Sequence, residues 1–155
     1  MNVPILYLCT SMEQYFELGY FGLFLISFLA ATILPLGSEG FFLLMIFGPF
    51  DAFTCLVVAS AGNWLGGLTN YFLGSLGKMD LLHKWFKISE ASILKMEVRV
   101  KKYGSWSALL CWLPFIGDPL AVALGFFRVQ FWTVAILMLV GKTARYAFLI
   151  WPLFY

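Results

Sequence analysis

The feature that most constrains the fold is an acidic side chain in the middle of a long apolar run. From Leu18 to Phe50 the only charged residue is Glu39, and Pro35 and Gly37 come shortly before it. Lipid offers no water to solvate a carboxylate, so an acid at membrane depth is costly and by default indicates a function. Proline also removes a backbone donor and clashes with the preceding helical turn. The run therefore predicts a broken helix that carries a buried acid.

The composition places this run in a membrane protein. Of the 155 residues, 62% are hydrophobic and 12% are charged, whereas soluble domains are about half apolar and about a quarter charged. We therefore expect an all-α integral membrane protein with a single membrane domain, residues 1–155. Three scattered cysteines and one histidine do not match a zinc ligand set, so we expect no metal and no cofactor.

The lengths of the apolar segments divide the chain into hairpins and spans. Residues 18–50 would form a helix of about 50 Å, too long for a core of about 30 Å and too short for two crossings. A re-entrant hairpin fits this length, and one tilted, kinked span is the alternative. Residues 52–77 carry no charge and can span the bilayer. Residues 103–127 repeat the hairpin pattern, and residues 129–155 form the second span.

The second hairpin repeats the order of residues in the first. Asp118 follows Pro114 by four residues, as Glu39 follows Pro35, and Gly117 lies directly before the acid. The two acids are 79 residues apart, and the span that follows each hairpin keeps the same offset. The chain therefore predicts two repeats, each a re-entrant hairpin followed by a transmembrane helix.

A hydrophilic linker joins the repeats and sets their orientation. Residues 78–102 contain seven basic and three acidic residues, and an apolar stripe that includes Val100 and Tyr103 predicts an amphipathic helix on the membrane surface. Short basic loops stay in the cytoplasm, and Arg128 marks a return to that side after the second hairpin. The two repeats are then inverted relative to each other, as in many secondary transporters. A basic run can also bind nucleic acid, but beside two membrane segments we expect no nucleic acid.

The N-terminal residues 1–17 lack the basic region of a secretory signal. We expect the first apolar segment to remain in the mature protein and residues 1–17 to form a short interfacial helix or a loose end.

Four ionisable side chains lie at or near membrane depth: Glu39, Asp118, Lys142 and Arg145. The two bases are three residues apart and share a helix face. Charges this deep must pair with each other or line a wet cavity. One interpretation is a buried network in which two acids and two bases cancel. The other is a site for an anionic headgroup with a proton switch, because arginine makes forked contacts with phosphate and a poorly solvated carboxylate can exchange a proton near neutral pH.

The first span carries small and amide residues on one face. Gly62, Gly66 and Asn70 recur every four residues, and small residues allow a neighbouring helix to approach closely. Asn63, which the 79-residue offset aligns with Lys142, and Asn70 can donate hydrogen bonds across such a contact. We therefore count both amides as supporting residues of the site. The other supporting residues that we predict are Pro35, Gly37, Pro114, Gly117 and Arg128.

Several short motifs occur together over roughly residues 20–150. They are Ser27–Pro35 with Ser38-Glu39, Gly62–Asn70, Lys102-Tyr103-Gly104, Leu113-Pro114 with Gly117-Asp118, and Gly141-Lys142 with Arg145-Tyr146. Together they resemble the DedA family (VTT/SNARE-associated domain), and in particular its short, YqaA-type branch. The resemblance implies a bacterial inner-membrane protein with two facing re-entrant hairpins.

The resemblance also implies a function, the movement of a lipid across the bilayer by a proton-coupled flippase or scramblase. It makes Glu39 and Asp118 the hairpin acids, and Lys142 and Arg145 the bases that face them. The implied substrate is undecaprenyl phosphate or a phospholipid. Longer members carry arginines around the second proline, where this chain has Cys111-Trp112, so the substrate stays open.

A membrane factor that assembles or organises other proteins without transport is the alternative function. An intramembrane enzyme is disfavoured, because the only histidine, His83, lies in the hydrophilic linker and one of the two acids is a glutamate. The expected partners are membrane lipids and protons. Four apolar segments have little interior, which favours a homodimer.

Overall fold

The computed structural model describes residues 5–32, 38–77, 98, 100, 102–113 and 116–153. All regular structure in these ranges is helical, which confirms the all-α prediction for this part of the chain. The elements are α1 (Ile5–Thr32), α2 (Ser38–Ile46), α3 (Ala52–Ser75), a 3-10 helix (Gly104–Trp112), α4 (Gly117–Phe126), α5 (Phe131–Ile150) and a final 3-10 turn (Trp151–Leu153).

Two of these helices, α3 and α5, are long and apolar enough to cross a membrane. They contain 24 and 20 residues, which corresponds to about 36 Å and about 30 Å of helix. They match the predicted spans 52–77 and 129–155. Large apolar side chains such as Phe53, Trp132 and Phe148 remain mostly exposed on them, as a lipid environment permits.

Helices α2 and α4 are too short to cross a bilayer alone. The apolar part of α1 covers Leu18–Thr32, α2 has 9 residues and α4 has 10 residues. Nine or ten helical residues extend about 15 Å, half of a hydrocarbon core of about 30 Å. Helix α1 ends at Thr32 and α2 begins at Ser38, and the break predicted near Pro35 falls on residues between them that lie outside the described part. Pro35, Gly37 and Pro114 lie outside the described residues, and the re-entrant path of both hairpins stays a prediction.

The expectation of a separate segment at residues 1–17 is wrong in one respect. Helix α1 begins at Ile5 and continues without interruption to Thr32. No proline occurs between these two residues, and glutamates such as Glu13 and Glu17 are good helix formers. The helix therefore continues through the part of the chain that was expected to be separate.

Helix α3 lies at the centre of the fold and packs against α1 through glycines. Gly62 lies against the carbonyl of Phe24, and a Cβ at Gly66 would come within 2.7 Å of the Ala31 Cβ. Beyond them, the Asn70 amide donates a 2.6 Å hydrogen bond to the carbonyl oxygen of Ala31. The predicted small-residue face and its amide hydrogen bond are therefore confirmed.

Helix α4 packs against the other end of α3 through a reciprocal pair of glycines. Gly74 of α3 lies against the carbonyl of Val122, and Gly125 of α4 lies against the carbonyl of Tyr71. Residues 120–125 of α4 are all buried. Because neither helix carries a side chain at the contact, the backbones of α3 and α4 approach closely at this end of α3.

The linker is described only at its C-terminal end, where Val98, Val100, Lys102 and Tyr103 are helical. Val100, a member of the predicted apolar stripe, is buried in a cluster with residues of α3, α4 and α5. Tyr103, the next member of the stripe, is half exposed. Residues 78–97 lie outside the described part, so the surface helix stays a prediction.

The start of α3 has an N-cap of the usual kind. The Asp51 carboxylate accepts hydrogen bonds from the backbone N–H of Thr54 at 2.7 Å and from its hydroxyl at 2.8 Å. These bonds lower the pKa of Asp51, the bond from the Thr54 backbone having the largest effect. Asparagine caps helices about as well as aspartate, so Asp51→Asn is a conservative change outside the charged site.

We expect Gly74→Ala to destabilise the protein by about 1–3 kcal/mol, because the new methyl group would overlap the Val122 carbonyl of α4. Gly22→Ala is the matched control, since a Cβ at Gly22 meets no atom within 4 Å. The control should leave stability unchanged or raise it by up to about 1 kcal/mol. Thermal unfolding of the purified variants in detergent measures both effects. Equal stability of the two variants would contradict close packing of α3 on α4.

Candidate functional site

The side chain of Lys142 is buried near the middle of α5 and reaches across to α3 and α4. Its Nζ donates to the backbone carbonyl of Asn63 at 3.0 Å and to the Oδ1 of the same residue. The Asp118 carboxylate lies 3.4 Å from Nζ and forms an ion pair with it. Lys142 is 3% exposed and Asp118 is 33% exposed. An ammonium ion has three N–H donors, so these three acceptors satisfy it completely.

Arg145 lies one turn further along α5 and reaches α2. Its Nη2 forms an ion pair with the Glu39 carboxylate in the first turn of α2. Its Nη1 donates to the carbonyl oxygen of Trp112, the last residue of the 3-10 helix, at 3.2 Å. The two charged side chains are 21% and 23% exposed, so this pair is more accessible than the Lys142 ammonium.

A buried tyrosine connects the two ion pairs. Tyr146 is 1% exposed, and its hydroxyl lies 2.6 Å from the Ser38 Oγ and accepts a 3.0 Å hydrogen bond from the Asn63 Nδ2. Asn63 also binds Lys142, and Ser38 is adjacent to Glu39 in α2. One continuous polar network therefore runs from α4 through α5 and α3 to α2.

Two glycines provide the space that this network needs. A Cβ at Gly67 would come within 3.1 Å of the Lys142 Cε, so the lysine stem passes directly over bare backbone of α3. Gly117 lies against the backbone of Cys111, which brings the first turn of α4 against the 3-10 helix. Glycine at these two positions allows the basic and acidic side chains to meet.

The structure brings together five of the residues predicted from the sequence: Glu39, Asn63, Asp118, Lys142 and Arg145. Asn70 is not among them, because its amide binds the end of α1. Arg128 is exposed beyond the far end of α4, about 15 Å of helix away from Asp118. Its φ of 50° places it in the left-handed region, where it ends α4. Both residues were predicted as supporting members of the site, and neither lies in the charged network.

Sequence reasoning missed Tyr146, Ser38, Gly67 and the Trp112 carbonyl as members of the site. For Tyr146 a signal existed, since it lies four residues after Lys142 and so shares its helix face. Ser38 is adjacent to the predicted acid. A backbone acceptor such as the Trp112 carbonyl has no signature in the sequence, because every residue carries one.

The site combines two carboxylates, an ammonium group and a guanidinium group. In the part of the chain that the structure describes, no three histidine, cysteine, aspartate or glutamate side chains come together in a way that could hold a metal ion. A guanidinium group has five N–H donors, more than the contacts of Arg145 with Glu39 and Trp112 occupy. Among the described residues, Arg145 therefore has donors without an acceptor, whereas each donor of Lys142 has one.

Comparison with known proteins agrees with the motifs in the sequence. The VTT domain family model matches residues 34–152. The chain is 35% identical over 130 residues to the inner membrane protein YqaA of Escherichia coli. The matched region covers 83% of this chain and 87% of that protein. The Shigella flexneri protein of the same name gives the same figures. An uncharacterised protein of Haemophilus influenzae is 32% identical over 139 residues, with 83% of each chain covered. No solved structure shows a significant match.

We expect Asp118→Asn to destabilise the protein by about 3 kcal/mol. The change leaves a buried ammonium ion without its counter-charge, and Asn63 compensates only in part. The double variant Asp118→Asn, Lys142→Met should recover most of this loss, because it removes both charges. Unfolding in detergent with increasing SDS measures the coupling between the two positions. Asp51→Asn is the control, and an Asp118→Asn protein as stable as this control would contradict a structural ion pair.

Proposed function

The chain belongs to the DedA family of VTT-domain membrane proteins, and on that basis we propose that it moves a lipid with an anionic, phosphate-containing headgroup across the bilayer. It acts as a transporter or flippase rather than as an enzyme. Its substrate is a phospholipid or undecaprenyl phosphate. A proton is the coupling ion.

The observation that carries this proposal is the charged network between the two hairpins. Glu39 and Asp118 lie in the first turns of α2 and α4, and the two bases of one helix, α5, hold both of them. Helix N-termini favour anions. Ionisable groups this deep in an apolar protein characteristically mark the path of a substrate or a proton.

The contact between Asn63 and Lys142 supports an inverted repeat. These residues are 79 positions apart, the same offset that separates Glu39 from Asp118. When a pseudo-two-fold axis relates two repeats, equivalent residues meet where they lie on that axis. Substrate sites of inverted-repeat transporters lie at the interface between the repeats, near the bilayer midplane.

The proposed location is the bacterial inner membrane, since the relative from Escherichia coli is named an inner membrane protein. The chain crosses this membrane more than once, and its basic linker, residues 78–102, is cytoplasmic. Its partners are membrane lipids and protons, and it forms a homodimer. In the transport cycle, protonation of Glu39 or Asp118 alternates with binding of the headgroup at Arg145, while Lys142 holds the surrounding helices in place.

We expect Glu39→Gln and Arg145→Ala each to abolish transport while expression stays near the wild-type level. The first change removes a proton-binding group, and the second removes the base with free donors. Proteoliposomes that contain fluorescently labelled phosphatidylglycerol measure transport, since an impermeant quencher bleaches only the outer leaflet unless lipid crosses the bilayer.

Asp51→Asn is the matched control for Glu39→Gln, because it also converts a carboxylate to an amide but lies outside the network. It should transport at the wild-type rate. If both Glu39→Gln and Arg145→Ala transport as well as the wild type, the site is assigned to the wrong residues. If the wild-type protein itself moves no lipid, the alternative of a non-transporting assembly factor takes the place of this proposal.

A further inference from the structure

The two ion pairs of the network differ in how completely their bases are satisfied. The Lys142 ammonium has three N–H donors and three acceptors, and it is 3% exposed. It has no donor left for a headgroup oxygen, so its role is to hold α3, α4 and α5 together. Lys142 is therefore a positioning residue.

The Arg145 guanidinium is more exposed than the Lys142 ammonium. About a fifth of it is exposed, and about a quarter of its partner Glu39 is exposed as well. The Trp112 carbonyl accepts a hydrogen bond from Nη1, and Nη2 contacts the Glu39 carboxylate. A planar guanidinium matches the two oxygens of a phosphate group as well as those of a carboxylate. Glu39 therefore occupies the position that a phosphate anion would take.

We infer that Glu39 is a tethered occupant of an anion subsite at Arg145, which the phosphate group of a lipid enters only after Glu39 takes up a proton. This inference rests on the proposed function and specifies how its site is regulated. The step transfers one proton from water to the carboxylate, and no covalent bond of the lipid changes. Before and after the exchange, Arg145 faces a single negative charge.

Charge balance is the physical reason for the coupling. A phosphate beside an ionised Glu39 would place two anions against one cation in a poorly hydrated site, where like charges repel strongly. Protonation removes the charge of Glu39, so the carboxyl group no longer competes for the guanidinium. Lipid binding should therefore become tighter as the pH falls.

Any test of this inference must distinguish the titration of Glu39 from the titration of other groups near it. Residues 18–32 of α1 carry no aspartate, glutamate, lysine or arginine. Among the residues whose side chains the structure describes, the groups on the elements around α2 are Tyr20 of α1, Cys55 and Tyr71 of α3, Cys111 of the 3-10 helix, Asp118 of α4, and Lys142, Arg145 and Tyr146 of α5. Among them, Asp118 is the other carboxylate, and its partner Lys142 is already satisfied.

The test is calorimetric binding of dihexanoylphosphatidylglycerol to the full chain in an uncharged maltoside detergent, at about pH 5.5 and about pH 8. The phosphodiester of this lipid keeps one negative charge over this range, so any pH dependence belongs to the protein. We expect the wild type to bind at least about fivefold more tightly at the lower pH, the small end of typical coupling between sites.

Two variants test whether the pH dependence of lipid binding comes from the pair of Glu39 and Arg145. Glu39→Gln should bind at the higher pH at least about fivefold more tightly than the wild type does, and should lose the pH dependence. Arg145→Gln should bind weakly at both values. Asp51→Asn should behave as the wild type does. If Glu39→Gln binds the lipid no more tightly than the wild type does at the higher pH, the inference is overturned. Wild-type binding that does not depend on pH would also overturn it, and that measurement needs no variant.

The same titration with glycerophosphoglycerol, which lacks acyl chains, distinguishes a lipid from a free anion. Weak binding of this compound supports a lipid phosphate as the occupant. Binding as tight as that of the lipid would overturn the lipid as the occupant. A wild-type protein that binds as expected but moves no lipid in proteoliposomes would refute the proposed transport and leave the subsite in place.

Discussion

The buried ammonium group of Lys142 is the interaction on which the arrangement of this protein depends. A cation that is 3% exposed cannot rely on water, so each of its three N–H donors needs an acceptor from the protein. Two acceptors belong to Asn63 of α3, and the third is the Asp118 carboxylate at the start of α4. Satisfying one side chain of α5 therefore sets the positions of two other helices.

Small residues make this arrangement geometrically possible. In lipid the hydrophobic effect does not drive helices together, so close backbone packing and hydrogen bonds between helices have to hold the fold. Gly62 and Gly66 bring α1 onto α3, Gly74 and Gly125 bring α4 onto α3, and Gly67 leaves room for the lysine stem. The glycine contacts bring the helices close enough together for the side chains of the polar network to reach one another.

The two bases of the network differ in exposure and in hydrogen bonding. The Lys142 ammonium is 3% exposed and has an acceptor for each of its three donors, whereas the Arg145 guanidinium is 21% exposed and has donors that no described residue accepts. Tyr146 couples the two, because its hydroxyl contacts both Ser38 beside Glu39 and Asn63 beside Lys142. Under the proposed function, Lys142 would hold the helices together while Arg145 exchanges Glu39 for the substrate.

The sequence by itself determined the class of protein, the two long apolar helices α3 and α5, and the small-residue face of α3. These features follow from local quantities: the length of an apolar run, the spacing of glycines, and one charge among apolar neighbours. Only the tertiary structure decided that Glu39 pairs with Arg145 and Asp118 with Lys142, that the Trp112 carbonyl orients the guanidinium, and that α1 begins at Ile5. Two acids and two bases allow more than one pairing, and the choice depends on distances between helices that no local pattern encodes.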